Sequence, residues 1–172
     1  MNLENIIRSF SDFPKKGILF RDISPILRDP KAMQYVIDQF YKYYKNKKID
    51  LVVGIESRGF LFACVLAMKF NKGCVMIRKQ GKLPGKTLSL SYNIEYGAST
   101  MEIQQDAIDK GQNILIVDDL IATGGTAKAS VELIEKIGGN VAGFAFVIEL
   151  ADLKGVDLLK DYEIYSLVKY HE

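Results

Sequence analysis

Residues Ile114 to Thr126 read ILIVDDLIATGGT: an uncharged β-branched run, two adjacent acids, a short turn, then small and hydroxyl residues opening a helical pattern. Each part has a chemical use. Gly124 and Gly125 let the backbone approach an anion closely, and Thr123 and Thr126 add hydroxyl donors beside the N–H groups that a first helical turn leaves unpaired. With Ala122 they form a cup that fits a phosphate monoester. Asp118 and Asp119 stand at the carboxyl end of what reads as a central strand, one sugar length from the cup, where carboxylates accept hydrogen bonds from two ribose hydroxyls. Together the parts describe a grip on ribose 5-phosphate. Taken singly they are ordinary, the acids a solvated strand end and TGGT a plain turn. The segment lacks the GK[ST] ending of a Walker A loop and the GxGxxG spacing of a dinucleotide fold.

Such a grip needs a scaffold of strands that end together. Asp29-Pro30 predicts a helix start, followed by Met33, Val36, Ile37, Phe40 and Tyr44 at helical spacing and an end near Lys45 to Lys48. Leu51 to Ile55 reads as a strand covered on both faces, followed by a helix from about Arg58 to Phe70. Cys74 to Ile77 reads as a second buried strand, and Arg78 to Gly97 as a long excursion of hairpin character. After the third buried strand, Ile114 to Val117, a helix turns Ala127, Val131, Ile134 and Ile137 inward and ends at Gly138-Gly139. Val141 to Ile148 and Glu163 to Val168 supply two more strands. Strand and helix alternate with short connections, which predicts an α/β fold with a mainly parallel central sheet flanked by helices.

The 172 residues, 48% apolar, suit a single domain, able to bury roughly two-thirds of its unfolded surface. Lys and Arg total 23 against 21 for Asp and Glu, so there is no basic field for a nucleic-acid backbone. The longest apolar stretch, Gly59 to Met68, falls short of the ~20 residues of a membrane span, and Glu4 and Arg8 interrupt any signal-peptide block. The expectation is a cytoplasmic protein with no membrane or nucleic-acid partner. Cys64 and Cys74 lack metal-ligand spacing and read as buried reduced thiols. His171 is the one histidine and has no assigned role; with no Ser-His or Cys-His system, acyl transfer is set aside.

Joined in this order, the parts of 114–126 closely resemble the PRPP-binding signature of the type I phosphoribosyltransferases. Five further segments extend the resemblance along nearly the whole chain to the family members that act on adenine. It implies the type I phosphoribosyltransferase fold, with a small N-terminal hood at about 1–30 and a flexible catalytic loop at about 78–100. Phe13 to Pro25 (FPKKGILFRDISP) is similar to the family's adenine-binding segment, which implies that backbone groups near Leu19 and Arg21 read the base edge and Phe20 lies on its face. Val53 to Phe60 (VGIESRGF) resembles the pyrophosphate loop and implies that Glu56, Ser57 and Arg58 act there; alone, Glu56 and Arg58 would read as a surface ion pair. Ile77 to Gly85 (IRKQGKLPG) is also similar to the family and implies that Arg78 and Lys79 contact the same pyrophosphate, partly across a homodimer interface. Ser91 to Gly97 (SYNIEYG) looks like the catalytic-loop tip, with Glu95 as the proton-transfer residue and Tyr96 beside it. Phe146 to Gly155 (FVIELADLKG) also matches and implies that Leu150 flanks the base.

The resemblance implies transfer of ribose 5-phosphate from PRPP to adenine, giving AMP and pyrophosphate, as in purine salvage. The cofactor implied is Mg²⁺, carried on the substrate near Asp118 and Asp119 rather than in a protein cage. Two alternatives stay open: a 6-oxopurine as acceptor, and a non-catalytic sensor of PRPP or nucleotide on the same fold.

Overall fold

The structure, a computed structural model, describes residues 1–94 and 97–171, and their side chains except at 93, 94 and 97. Glu95 and Tyr96 therefore lie outside the described residues. Near the N-terminus β1 (Arg8–Ser11) and β2 (Leu19–Asp22) form an antiparallel hairpin with a sheet of their own. Two helices follow, α1 (Ser24–Arg28) and α2 (Pro30–Tyr44). As the sequence predicts, α2 starts at Asp29-Pro30: the Asp29 carboxylate accepts a hydrogen bond from the Lys31 amide at 2.9 Å, and Pro30 sits in the first turn, where its missing N–H is no loss. Val36, Ile37, Phe40 and Tyr44 line its buried face.

The main sheet is built from β3 (Leu51–Ile55), β4 (Gly73–Lys79), β5 (Thr87–Ile94), β6 (Gly97–Gln104), β7 (Asn113–Ile121), β8 (Asn140–Leu150) and β9 (Ile164–Tyr170). Their order is β5-β6-β4-β3-β7-β8-β9. From β4 to β9 the neighbours are parallel, while β5 and β6 form an antiparallel hairpin at one edge. The crossovers β3 to β4 and β7 to β8 run through α3 (Gly59–Phe70) and α4 (Gly125–Ile137). Successive side chains of a strand face opposite sides, so the apolar run in β7 feeds two cores. Leu115 and Val117 pack with α2 and α3, while Ile114 and Ile116 pack with α4. Among the described residues no helix is long and apolar enough to cross a membrane.

Two expectations need correction. In β4 only Ile77 is buried, because β6 pairs with β4 at Arg78 and Lys79 alone and leaves Gly73 to Met76 without a strand on one side. And β7 does not end at its two acids but runs on to Ile121, since β8 keeps pairing with it through Ile121 opposite Glu149.

On its other side β7 loses its partner earlier. β3 pairs with β7 only as far as Gly54 opposite Val117, then stays with β4, where the Glu56 amide donates to the Ile77 carbonyl. From β3 the chain winds outward one way and from β7 the other, so a crevice opens between their carboxyl ends. That is where open α/β sheets bind ligands.

Candidate active site

Both lips of the crevice carry residues singled out in the sequence. One is the turn after β3, with Glu56, Ser57 and Arg58; the Glu56–Ser57 peptide is cis. The other is the end of β7 and the turn into α4. A cavity of about 210 Å³ is lined by Asp118, Leu120, Ile121, Phe146 and every residue from Ala122 to Ala127. A second, of about 340 Å³, is lined by Glu56, Ser57, Arg58, Lys79, Asp118, Asp119, Leu120 and Thr126. The two share Asp118, Leu120 and Thr126, and so adjoin.

The cup sits on the first turn of α4, whose unpaired N–H groups and dipole favour an anion. Gly124 adopts φ +80°, the left-handed region that glycine tolerates. A second reason for glycine there lies far along the chain. A Cβ on Gly124 would overlap the carbonyl of Gly155, and one on Gly155 would overlap the Ala122 carbonyl oxygen and stand 2.7 Å from the Gly124 nitrogen. Gly155 opens a short 3-10 turn, Gly155–Leu159, and the cup rests on it backbone to backbone. The sequence gives Gly155 no role of its own; the one local signal is small size at a loop end.

The acids sit in unequal surroundings. Asp119 is 5% exposed, and the Arg58 Nε lies 2.7 Å from its Oδ2, an ion pair by distance in which Oδ2 accepts no well-directed hydrogen bond. Asp118 is half-buried and receives the Asp119 amide at 2.8 Å. Burial, then the neighbouring Asp119 charge, push the Asp118 carboxyl well above its ordinary range.

Glu56 and Arg58 do not pair with each other. The Glu56 carboxylate accepts from Arg78 Nε and Nη2, both at 3.2 Å, and from the Lys79 amide at 2.8 Å. Burial works against its charge, but the Lys79 and Arg78 hydrogen bonds prevail and hold it below the usual range. The parallel pairing of β3 with β4 brings these residues side by side, a contact across strands that local sequence does not show. Arg58 is left to reach Asp119, and its guanidinium also stands 5.3 Å from the centre of the Phe20 ring.

That contact places the β1–β2 hairpin at the crevice. Leu19, Phe20 and Arg21 all lie on β2 and are half-buried. Arg21 stacks over the Tyr170 ring at 3.7 Å, and Tyr170 pairs in β9 with Leu150 at the end of β8. Arg21 and Leu150 thus converge through Tyr170, a residue the sequence reading passed over. Asp22 anchors the hairpin: the Ser24 hydroxyl donates to Oδ1 at 2.6 Å, its amide at 2.9 Å, and Arg8 donates to Oδ2. The Ser24 hydroxyl first, with the Ser24 amide and Arg8, holds the Asp22 carboxyl at about 2 against the effect of burial.

Cys64 and Cys74 are exposed, against expectation. Helix α3 is apolar on all sides: Phe62, Ala63, Leu66 and Ala67 are buried, while Leu61, Val65 and Met68 point outward with Cys64. The outer face, with Met76 of β4 beside it in the fold, carries both thiols.

A turn that favours an anion and a paired-acid strand adjoin here, at the switch point of the sheet. The chain belongs to the phosphoribosyltransferases: the phosphoribosyl transferase domain matches residues 22–170. Its similarity goes further, to the adenine phosphoribosyltransferases. That of Nitrosopumilus maritimus is 61% identical over 170 residues, 99% of this chain and 100% of the relative. The solved structure of the Thermoanaerobacter pseudethanolicus enzyme superimposes with a TM-score of 0.95 at 48% identity, covering 98% of each chain. The Saccharomyces cerevisiae enzyme, complexed with an imino-altritol bisphosphate and adenine, gives 0.91 at 44% identity over 96% of each.

Proposed function

We propose that this chain transfers ribose 5-phosphate from PRPP to adenine, forming AMP and pyrophosphate, a purine-salvage reaction. The observation that carries the reading is the pair of adjoining cavities: the cup of 122–126 for the 5-phosphate, and Asp118 and Asp119 facing the next space, where a ribose attached to that phosphate must lie.

Breaking the bond from C1 to pyrophosphate builds positive charge on the sugar and negative charge on the leaving group, so fixed dipoles and cations do most of the work. The Ala122 to Thr126 turn holds the phosphate, and the two acids accept from the ribose hydroxyls. Arg58, Ser57 and Lys79 face the second cavity, where pyrophosphate departs. Glu56 is an anion and serves by holding Arg78 and the Lys79 backbone in place. Phe20, with Leu19, Arg21 and Leu150, forms the base site. Glu95, with Tyr96 beside it, is assigned the proton that adenine loses as its ring nitrogen attacks; a positioned base contributes ~10²–10⁴-fold.

The residues fit a divalent cation that arrives on its substrate. Asp118 and Asp119 both line the second cavity, where their carboxylates would face the cation, and Asp119 Oδ2 is held there by Arg58 at 2.7 Å. When bound, Mg²⁺ supplies charge neutralisation on the departing oxygens. The homodimer belongs to this proposal too: the bare apolar face of α3 is what a second copy would cover. So does a cytoplasmic location, since PRPP and AMP are highly charged and do not cross membranes unaided.

The test is to mix the protein with PRPP, Mg²⁺ and adenine and to follow AMP and pyrophosphate, with hypoxanthine and guanine in parallel. Faster turnover of hypoxanthine would end the adenine assignment. Binding of PRPP without release of pyrophosphate would point to a sensor. Full activity of a double Asp118→Ala, Asp119→Ala variant would remove the sugar site.

A further inference from the structure

The hydroxyl of Tyr92, on β5, lies 2.7 Å from the hydroxyl of Thr126 in the cup. Tyr92 follows Leu88 and Leu90 on the face of β5 that packs against the second core, beside α4, so its ring is held from the side and its hydroxyl is aimed at the turn. Thr126 lines both cavities, and its carbonyl is engaged by the Ser130 hydroxyl at 2.8 Å. Its side-chain hydroxyl has one proton to give.

We infer that Tyr92 is a positioning residue for the 5-phosphate: it donates to Thr126 Oγ1, so that the Thr126 proton points into the cup. The inference rests on the reading of 122–126 as the phosphate cup. The direction follows from proton counting. A phosphate dianion only accepts, so Thr126 must donate to it, and the Tyr92 contact must then run from Tyr92 to Thr126. A hydroxyl that accepts one bond while donating another is polarised in the helpful sense. The same contact joins the cup to the strand that leads, three and four residues later, to Glu95 and Tyr96.

Tyr92→Phe removes the hydroxyl and keeps the ring. The expected result is a rise of about tenfold in KM for PRPP, the worth of one good hydrogen bond, with KM for adenine and the melting temperature unchanged. Thr126→Val should weaken PRPP at least as much, and adding Tyr92→Phe to it should do nothing more, since the partner is already gone. Thr126→Ser, which keeps the hydroxyl, should restore the response to Tyr92→Phe. Overturning results are a Tyr92→Phe enzyme with normal KM for PRPP, effects of the two changes that multiply, or a fall in melting temperature with both KM values rising together, which marks a packing role. Ribose 5-phosphate binding, followed by calorimetry without adenine, separates this inference from the reading beneath it. A wild-type protein that makes no AMP yet binds ribose 5-phosphate, with weaker binding by Tyr92→Phe, sinks the transfer reaction and supports Tyr92.

Discussion

Gly155→Ala tests whether the cup depends on the backbone beneath it. The backbone of Gly155 is not left-handed, so alanine is conformationally acceptable there, and only the contact forbids a side chain. The new methyl would overlap the Ala122 carbonyl oxygen and stand 2.7 Å from the Gly124 nitrogen. Ordinary contact is ~3.5–4.0 Å, so the two loops must part by about 1–2 Å. Overpacking of this kind destabilises by ~1–3 kcal/mol, a fall of about 2–12 °C in melting temperature at this size. A misplacement of about 1 Å in a positioning element lowers the rate by ~10²-fold. Activity should therefore fall far more than stability. The assay is kcat/KM for PRPP at 25 °C beside a thermal melt, with Gly111→Ala as control. Gly111 has φ +86° and nothing within 4 Å of an added Cβ, so its substitution strains the backbone away from the cup and should leave kcat/KM alone. If Gly155→Ala retains kcat/KM within threefold of wild type, or Gly111→Ala loses as much, the Gly155 support does not set the cup.

Three other outcomes are expected. Asp118→Asn should melt higher than wild type at pH 8 and lose most activity. A carboxyl raised above its unfolded value gives stability that is complete below about pH 3.9 and lost as pH rises through the folded value, so the gap should shrink on acidification; a lower melt at pH 8 refutes the argument. Asp22→Asn should melt lower at neutral pH. Its carboxyl is held at about 2, so this stabilisation is present above about pH 3.9 and fades as pH falls toward 2; an undiminished difference at pH 2 contradicts it. Leu61→Glu with Val65→Glu should turn a dimer into a monomer in sedimentation, and a wild-type monomer at micromolar concentration would remove the homodimer proposal.

Local chemistry made part of this architecture legible. Asp29-Pro30 marked the start of α2, and the acid pair with its small-residue turn marked the β7–α4 side of the crevice. What escaped depends on distant pairing. The apolar signal of β7 stops at Val117, but its strand geometry persists because β8 goes on supplying hydrogen bonds. Glu56 finds Arg78 because β3 and β4 are neighbours, and Arg58 is thereby freed for Asp119. Cys64 reads as buried because both faces of α3 are apolar, a pattern that cannot distinguish a core from a face awaiting a partner, and Cys74 because its run is apolar, although β6 leaves that end of β4 without a strand on one side. Gly155 and Tyr170 gain their roles from contacts made across the chain.

The β1–β2 hairpin shares no hydrogen-bonded strand with the seven-stranded sheet. On the proposed reading, the purine is recognised by this small separate ribbon and the sugar phosphate by the large one. Evolution can then explore new acceptor bases through changes in a few residues of the ribbon, while the machinery that activates the donor is inherited intact. Diversification of such enzymes by base, with one donor retained throughout, is what this division of labour permits.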